Sequence, residues 1–123
     1  MTVTGTLIAE SLRVGAQIEG VAFTTTKVAR AAVGDVAAGQ PPIWTFIELE
    51  VSDDDAPLFA SALEAALLGG GGWYCDLRSD EETFVVFAGR TFQYPRGDAP
   101  GRAAAIDYGR SVGVPDAQLD WPV

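Results

Sequence analysis

The stretch WYCDLRSDEETFVVFAGRTFQY, residues 73–94, places two turn signals between three β-rich runs. Gly89-Arg90 separates Phe84–Ala88 from Thr91–Tyr94. Glycine in the first central position marks a two-residue type II′ hairpin, because it takes the required positive φ without steric cost. Pairing Ala88 with Thr91 then sets Phe87 opposite Phe92 and Val85 opposite Tyr94. Ser79-Asp80-Glu81-Glu82 is a polar loop before the middle strand. With Arg78 opposite Thr83, Leu77 faces Phe84, Cys75 faces Val86 and Tyr74 faces Phe87. Strand alternation puts Trp73, Cys75, Leu77, Phe84 and Val86 on one face. The other face carries Tyr74, Asp76, Arg78, Val85, Phe87, Phe92 and Tyr94. The middle strand is apolar on both faces, the pattern of a strand buried on two sides.

On the N-terminal side, residues 43–51 alternate with period two. Ile43, Thr45, Ile47, Leu49 and Val51 share one face, and Trp44, Phe46, Glu48 and Glu50 the other. Residues 21–33, rich in Val, Phe and Thr, read as a long, mostly solvent-facing strand. A loop follows, closed by Pro41-Pro42. Residues 6–20 fit a short helix or a strand equally well. Between residues 51 and 73, Phe59, Ala62, Leu63, Ala66 and Leu67 recur with helical spacing. Asp55 stands at the N-cap, Pro57 in the first turn, and the stop comes at Gly69–Gly72. A second helix starts at Asp98 and Pro100 and ends at Gly113, with Ala105, Tyr108, Gly109 and Val112 on one face and Ile106 at its border. The tail 118–123, with Trp121, reads as pinned to the body.

The expected fold is therefore α+β, one domain over residues 1–123. It is a two-layer sandwich whose mixed, mostly antiparallel sheet has about five strands, with two helices on one face; a ferredoxin-like variant fits. The helix between residues 51 and 73 would be the crossover joining parallel neighbours.

The chain has 123 residues and a formal net charge of −9. That charge argues against nucleic acid, whose phosphates require clustered Lys and Arg, and against an anionic membrane surface. The N-terminal residues lack a secretory pattern and no apolar run is long enough to span a bilayer, so a soluble, cytoplasmic protein is expected. One cysteine precludes an internal disulfide. Seven arginines against the lone Lys27, with abundant Ala and Gly, suggest a GC-rich bacterial genome.

The chain contains no histidine. That removes Ser-His-Asp and Cys-His nucleophile systems and most catalytic zinc sites. Gly109-Arg110-Ser111-Val112-Gly113 matches the nucleophile elbow in letters, but it falls at a helix C-terminus rather than a strand-to-helix turn. Arg96-Gly97-Asp98 is better explained by capping. Gly69–Gly72 lacks the Lys and Ser/Thr of a phosphate loop, and Asp53–Asp55 lacks the ligand spacing of a calcium loop. Cys75 reads as a small buried hydrophobe. No catalytic residue, metal or cofactor is expected from these motifs.

One constellation remains. With both helices on the Cys75 face, the opposite face would collect Trp44, Phe46, Glu48, Tyr74, Asp76, Arg78, Phe87, Phe92 and Tyr94. Its six rings amount to roughly 900–1500 Å², more than the ~300–600 Å² of a typical monomer's largest apolar patch. Something must cover them: residues 1–20 or the Trp121 tail, a second copy or another protein, or a small ligand. Carboxylates among aromatic rings suit a sugar or a cation. Two functions follow. One is a binding or interaction module, with homodimerisation as one form of it. The other is a small enzyme using carboxylate or arginine chemistry, with Asp76 its foremost polar group.

The segment Gly72-Trp73-Tyr74-Cys75-Asp76-Leu77, the run Phe84-Val85-Val86-Phe87 and the ending Tyr108-Gly109-Arg110-Ser111-Val112-Gly113-Val114-Pro115 with Gln118-Leu119-Asp120-Trp121 resemble a group of small uncharacterised bacterial proteins. The resemblance extends back through Pro42-Ile43-Trp44-Thr45 to about residue 6. It implies a free-standing domain and brings no activity, ligand or catalytic residue.

Overall fold

In the computed structural model, which describes residues 1–122, the N-terminal segment forms a strand, β1 (Thr2–Ile8). Val3, Gly5 and Leu7 alternate with threonines, which gives the strand one apolar and one polar side. β1 pairs from Thr2↔Ser52 to Ile8↔Phe46 with β3 (Ile43–Ser52). Its other edge pairs with β4 (Cys75–Arg78) through Thr4↔Arg78 and Gly5↔Leu77. β2 (Thr24–Ala32) lies outside β3, and β5 (Glu82–Phe87) and β6 (Arg90–Pro95) extend the opposite side. The sheet order is β2-β3-β1-β4-β5-β6, and every neighbouring pair is antiparallel.

The α+β class read from the sequence holds, and the structure corrects its details. The described residues form six strands rather than about five. β3 and β4 do run in the same direction, joined through α1 (Ala56–Ala66), but β1 lies between them, so no neighbouring strands are parallel. The two helices also lie on opposite faces. Phe59, Ala60 and Leu63 of α1 pack with Val3, Leu7, Leu49, Cys75, Leu77 and Val86. α2 (Ala99–Ser111) brings Ala105 against Val85, Phe87 and Tyr94 on the reverse side. The cause is β5: Thr83, Phe84, Val85, Val86 and Phe87 are all buried, so both faces of that strand need a cover.

Local signals were met to different degrees. Asp98 caps α2, accepting a hydrogen bond from the Gly101 N–H at 3.2 Å. The helix ends in a Schellman arrangement, with Gly113 at φ 95° and the Val114 N–H donating to the Gly109 carbonyl at 3.0 Å. Asp55 stands at the N-cap of α1 without making a side-chain cap; its carboxylate accepts from the Ser52 hydroxyl at 3.1 Å instead. α1 also ends before the glycine run, because Leu67 turns extended to bridge Leu12. Arg13 covers the helix end, its Nε donating to the Ala65 carbonyl and its backbone N–H to that of Ala66.

The β4–β5 register is the expected one, from Cys75↔Val86 to Arg78↔Thr83. The β5–β6 hairpin differs: Phe87 pairs with Arg90 and Val85 with Phe92, so Ala88-Gly89 is the turn. Gly89 takes φ 75° at the second central position, as a type II turn demands, and its N–H donates to the Glu64 carbonyl of α1. The change in register spans two residues, so the side chains of β5 and β6 stay on their assigned faces.

Residues 9–23 leave β1 and rim the α1 side, with Leu12, Ile18 and Val21 against its core and Phe23 5.1 Å from Phe59. Glu10 takes over where β1 ends: its carboxylate accepts from the Thr45 N–H at 2.6 Å and the Thr45 hydroxyl at 2.9 Å. No helix among the described residues is long and apolar enough to cross a membrane.

Gly5 permits the central pairing. A Cβ there would collide with the Asp76 carbonyl oxygen and fall 2.6 Å from Leu77 Cδ2. Gly5→Ala is expected to cost about 1–3 kcal/mol, the usual penalty for overpacking. Urea unfolding checks this, and a midpoint equal to that of the unmodified chain would refute the tight β1–β4 approach.

Candidate ligand cleft

The face opposite α1 is only half covered. α2, with Val114, Leu119 and Trp121, buries its β5–β6 side. Beyond that cover, where β1, β3 and the start of β4 meet, the sheet floors a cleft of about 440 Å³. Alternation supplies the floor: Thr6 and Ile8 from β1, Trp44 and Phe46 from β3, Asp76 from β4. Trp73 and Tyr74, just before β4, form one side, and Val33, Gly34 and Asp35 from the β2–β3 connection another. Ala117, Gln118 and Asp120 of the C-terminal segment close the rest.

Hydrogen bonds hold these walls in place. The Gln118 amide donates to the Asp35 carbonyl at 2.6 Å and to Gln40 Oε1 at 3.1 Å. Gln40 in turn donates to the Gly71 carbonyl at 2.9 Å, tying three segments together. Gly72 lets the C-terminal loop approach, since a Cβ there would lie 2.8 Å from the Gly113 carbonyl oxygen. The Tyr74 hydroxyl donates to the Gln118 carbonyl, and its ring meets Trp121 edge-on at 4.9 Å. Trp44 donates through Nε1 to the Pro41 carbonyl at 2.8 Å, and its ring lies 5.0 Å from Trp73 and 6.1 Å from Phe46.

The electrostatics of the cleft are acidic. Burial pushes the Asp76 carboxyl above its usual range; Arg78, with Nε 3.7 Å away, opposes this, and Asp120 adds to it. Burial also raises the Tyr74 hydroxyl far above its ordinary value, with Asp76 and Asp120 contributing, so Tyr74 stays a donor. The Cys75 thiol, on the reverse side of the strand, is raised by burial and by Asp76. It stays protonated, with Sγ 3.5 Å from the Thr6 carbonyl, as a small core residue would.

The nine residues grouped from the sequence thus separate into three sets. Trp44, Phe46, Tyr74 and Asp76 come together in the cleft. Glu48 and Arg78 flank it. Glu48 pairs with Lys27 at 3.7 Å, and Arg78 lines a second, more polar hollow with Met1, Thr4 and Ser79. Phe87 and Tyr94 are core residues under α2 and the tail, where Trp121 Nε1 donates to the Tyr94 hydroxyl at 2.8 Å. Phe92 is partly buried against Phe87 and Tyr108, with the Arg90 guanidinium 4.6 Å from its ring. Those three are therefore covered by the chain itself. The tail is pinned through Trp121 as expected; Val123 lies outside the described residues.

Trp73, assigned by alternation to the Cys75 face, lines the cleft instead. β4 begins at Cys75, so strand parity does not extend to it. Asp35, Gln118 and Asp120 were not anticipated. They come from loops, whose position no periodicity reports, and only the pinned Trp121 hinted that the tail approaches this face. Ser111, in the elbow-like pentapeptide, donates to the Tyr108 carbonyl at 2.6 Å within the last turn of α2. No group of three or more His, Cys, Asp or Glu placed to hold a metal occurs among the described residues.

Because the folded pKa of Asp76 is raised, its neutral form favours folding; that contribution is complete below the unfolded carboxylate value and is lost as pH rises through the folded one. The stability of Asp76→Asn relative to the unmodified protein should therefore increase with pH over that interval and level off above it. Thermal unfolding from pH 3 to pH 8 tests this, and parallel profiles would contradict it. In comparisons with family models, curated proteins and solved structures, the chain matches none.

Proposed function

We propose that this protein is a small-ligand-binding domain whose ligand occupies the cleft between the sheet and the C-terminal segment. The observation that carries the reading is the pairing of four aromatic rings with a largely buried carboxylate, Asp76, around about 440 Å³ of space. That volume lies in the ~300–1000 Å³ range of small-molecule sites, which are mainly apolar with a few polar groups for orientation. The self-covering of Phe87 and Tyr94 favours this reading over a broad protein interface, because the aromatic face left open is small.

A second reading, a histidine-free enzyme, draws on the same carboxylate. A carboxyl kept toward its neutral form by burial is suited to general-acid work. Asp76 lies in a cleft rather than on a convex surface, and Asp120 stands near enough to influence its titration. Turnover of a bound ligand that is lost in Asp76→Asn would favour this reading over simple binding.

All three tryptophans report on the cleft: Trp44 and Trp73 line it, and Trp121 meets Tyr74 edge-on. A fragment collection screened by tryptophan emission and by NMR shifts should yield ligands that perturb Tyr74, Asp76 and Gln118 together. Phe46→Leu should weaken such ligands by about twofold to thirtyfold, since a ring contact contributes ~0.5–2 kcal/mol beyond the area it buries. Fragments that bind only elsewhere, or that bind Phe46→Leu equally well, would overturn the assignment.

A further inference from the structure

We infer that the ligand of this cleft is an organic cation, an ammonium or guanidinium group held against the partly exposed rings of Phe46 and Tyr74 with Asp76 as its counter-ion. The inference rests on the binding-domain reading and narrows it to a chemical class. Its first support is the sign of the lining. The ionisable carboxylates are Asp35, Asp76 and Asp120, and no lysine or arginine contributes to the walls. An anion would meet repulsion there.

The second support is what the hydrogen-bonding groups of the wall are already doing. The Tyr74 hydroxyl donates to the Gln118 carbonyl, the Gln118 amide to Asp35 and Gln40, and the Trp44 indole to Pro41. These donors are committed to building the walls; among the described lining side chains the Thr6 hydroxyl and the Trp73 indole N–H make no such bond, so acceptors outnumber donors. A sugar presents hydroxyls that need donors as well as acceptors, and an anion needs donors alone. A cation needs acceptors and π faces, which the cleft has.

Third, the charge of Asp76 is incompletely answered within the protein. Arg78 approaches only to 3.7 Å, and burial still keeps the carboxyl above its ordinary range. A bound cation would complete that pairing in a partly desolvated site, where a carboxylate and an aromatic face reinforce each other. The net charge of −9 would draw such a ligand toward the surface from a distance.

The test compares charge at constant shape. Choline and its neutral isostere 3,3-dimethylbutan-1-ol, with agmatine as a guanidinium probe, are titrated while tryptophan emission and the NMR shifts of residues 74–76 are followed. At least one cation is expected to bind about tenfold or more tighter than the neutral isostere, a difference of ~1.4 kcal/mol. Asp76→Asn should abolish that preference, and Asp120→Asn should reduce it if Asp76→Asn fails to fold. If the isostere binds as well as both cations, the cation assignment falls while the cleft remains a binding site. If neither cation perturbs the cleft but neutral or anionic fragments do, the same conclusion holds. If no compound of any charge perturbs the cleft, the binding-domain reading falls with it.

Discussion

β1 is hydrogen-bonded on both edges, and its insertion between β3 and β4 is the constraint on which the remaining architecture depends. It separates two strands that α1 would otherwise join as parallel neighbours and makes the whole sheet antiparallel. The pairing with β4 is close enough that position 5 must lack a Cβ. Where β1 ends, Glu10 supplies the missing partner for the Thr45 N–H, so β3 is satisfied beyond the last strand pair. The even-numbered side of β1 then provides Thr6 and Ile8 to the floor of the cleft.

With six strands and two short helices among the described residues, neither face is fully covered, and the two faces are treated differently. The α1 face carries the larger aliphatic core, in which Phe59, Leu63, Leu49 and Leu77 are almost wholly buried. The reverse face is aromatic: α2 and the tail close over Phe87 and Tyr94, and Gly109 lets the helix approach the Phe87 ring. The cover ends at Tyr74, whose ring belongs to that core while its neighbours open onto the cleft. One aromatic layer thus serves as core on one side of Tyr74 and as cleft wall on the other.

Two carboxylates show how local partners set opposite electrostatic signs. Desolvation, the largest single influence, raises Glu10, but the two hydrogen bonds from Thr45, with the Glu10 backbone and Arg30 helping, together bring it below the usual carboxylate range. Its contribution to stability is present above the unfolded value and fades as pH falls through the folded one. Asp76 behaves in the reverse sense, because burial dominates and Arg78 compensates only in part. Glu10 fits a structural bond. Asp76 is held at a cost to the fold, as groups in binding and catalytic sites frequently are.

Much of the fold was legible because alternation is a local property. The faces of β3, β4, β5 and β6, the α2 cap at Asp98 and its glycine stop all follow from residues within a few positions of one another. Even the hairpin, two residues out of register, kept its faces, since strand parity survives an even shift. The burial of β5 on both sides is legible in its apolar run as well. Four cleft residues, Trp44, Phe46, Tyr74 and Asp76, could be grouped by parity alone. Glu48, Arg78, Phe87, Phe92 and Tyr94 could not be separated from them, because parity gives the face of a sheet and not what lies over it. That distinction depends on strand order and on where α2, residues 33–35 and residues 117–120 come to rest. Contacts such as Gln118 with Asp35, or Glu10 with Thr45, join segments far apart in the chain. By itself the sequence determined which side chains share a face; tertiary structure alone decided which of them are core and which line a cleft, because cover is a long-range property that no local period encodes.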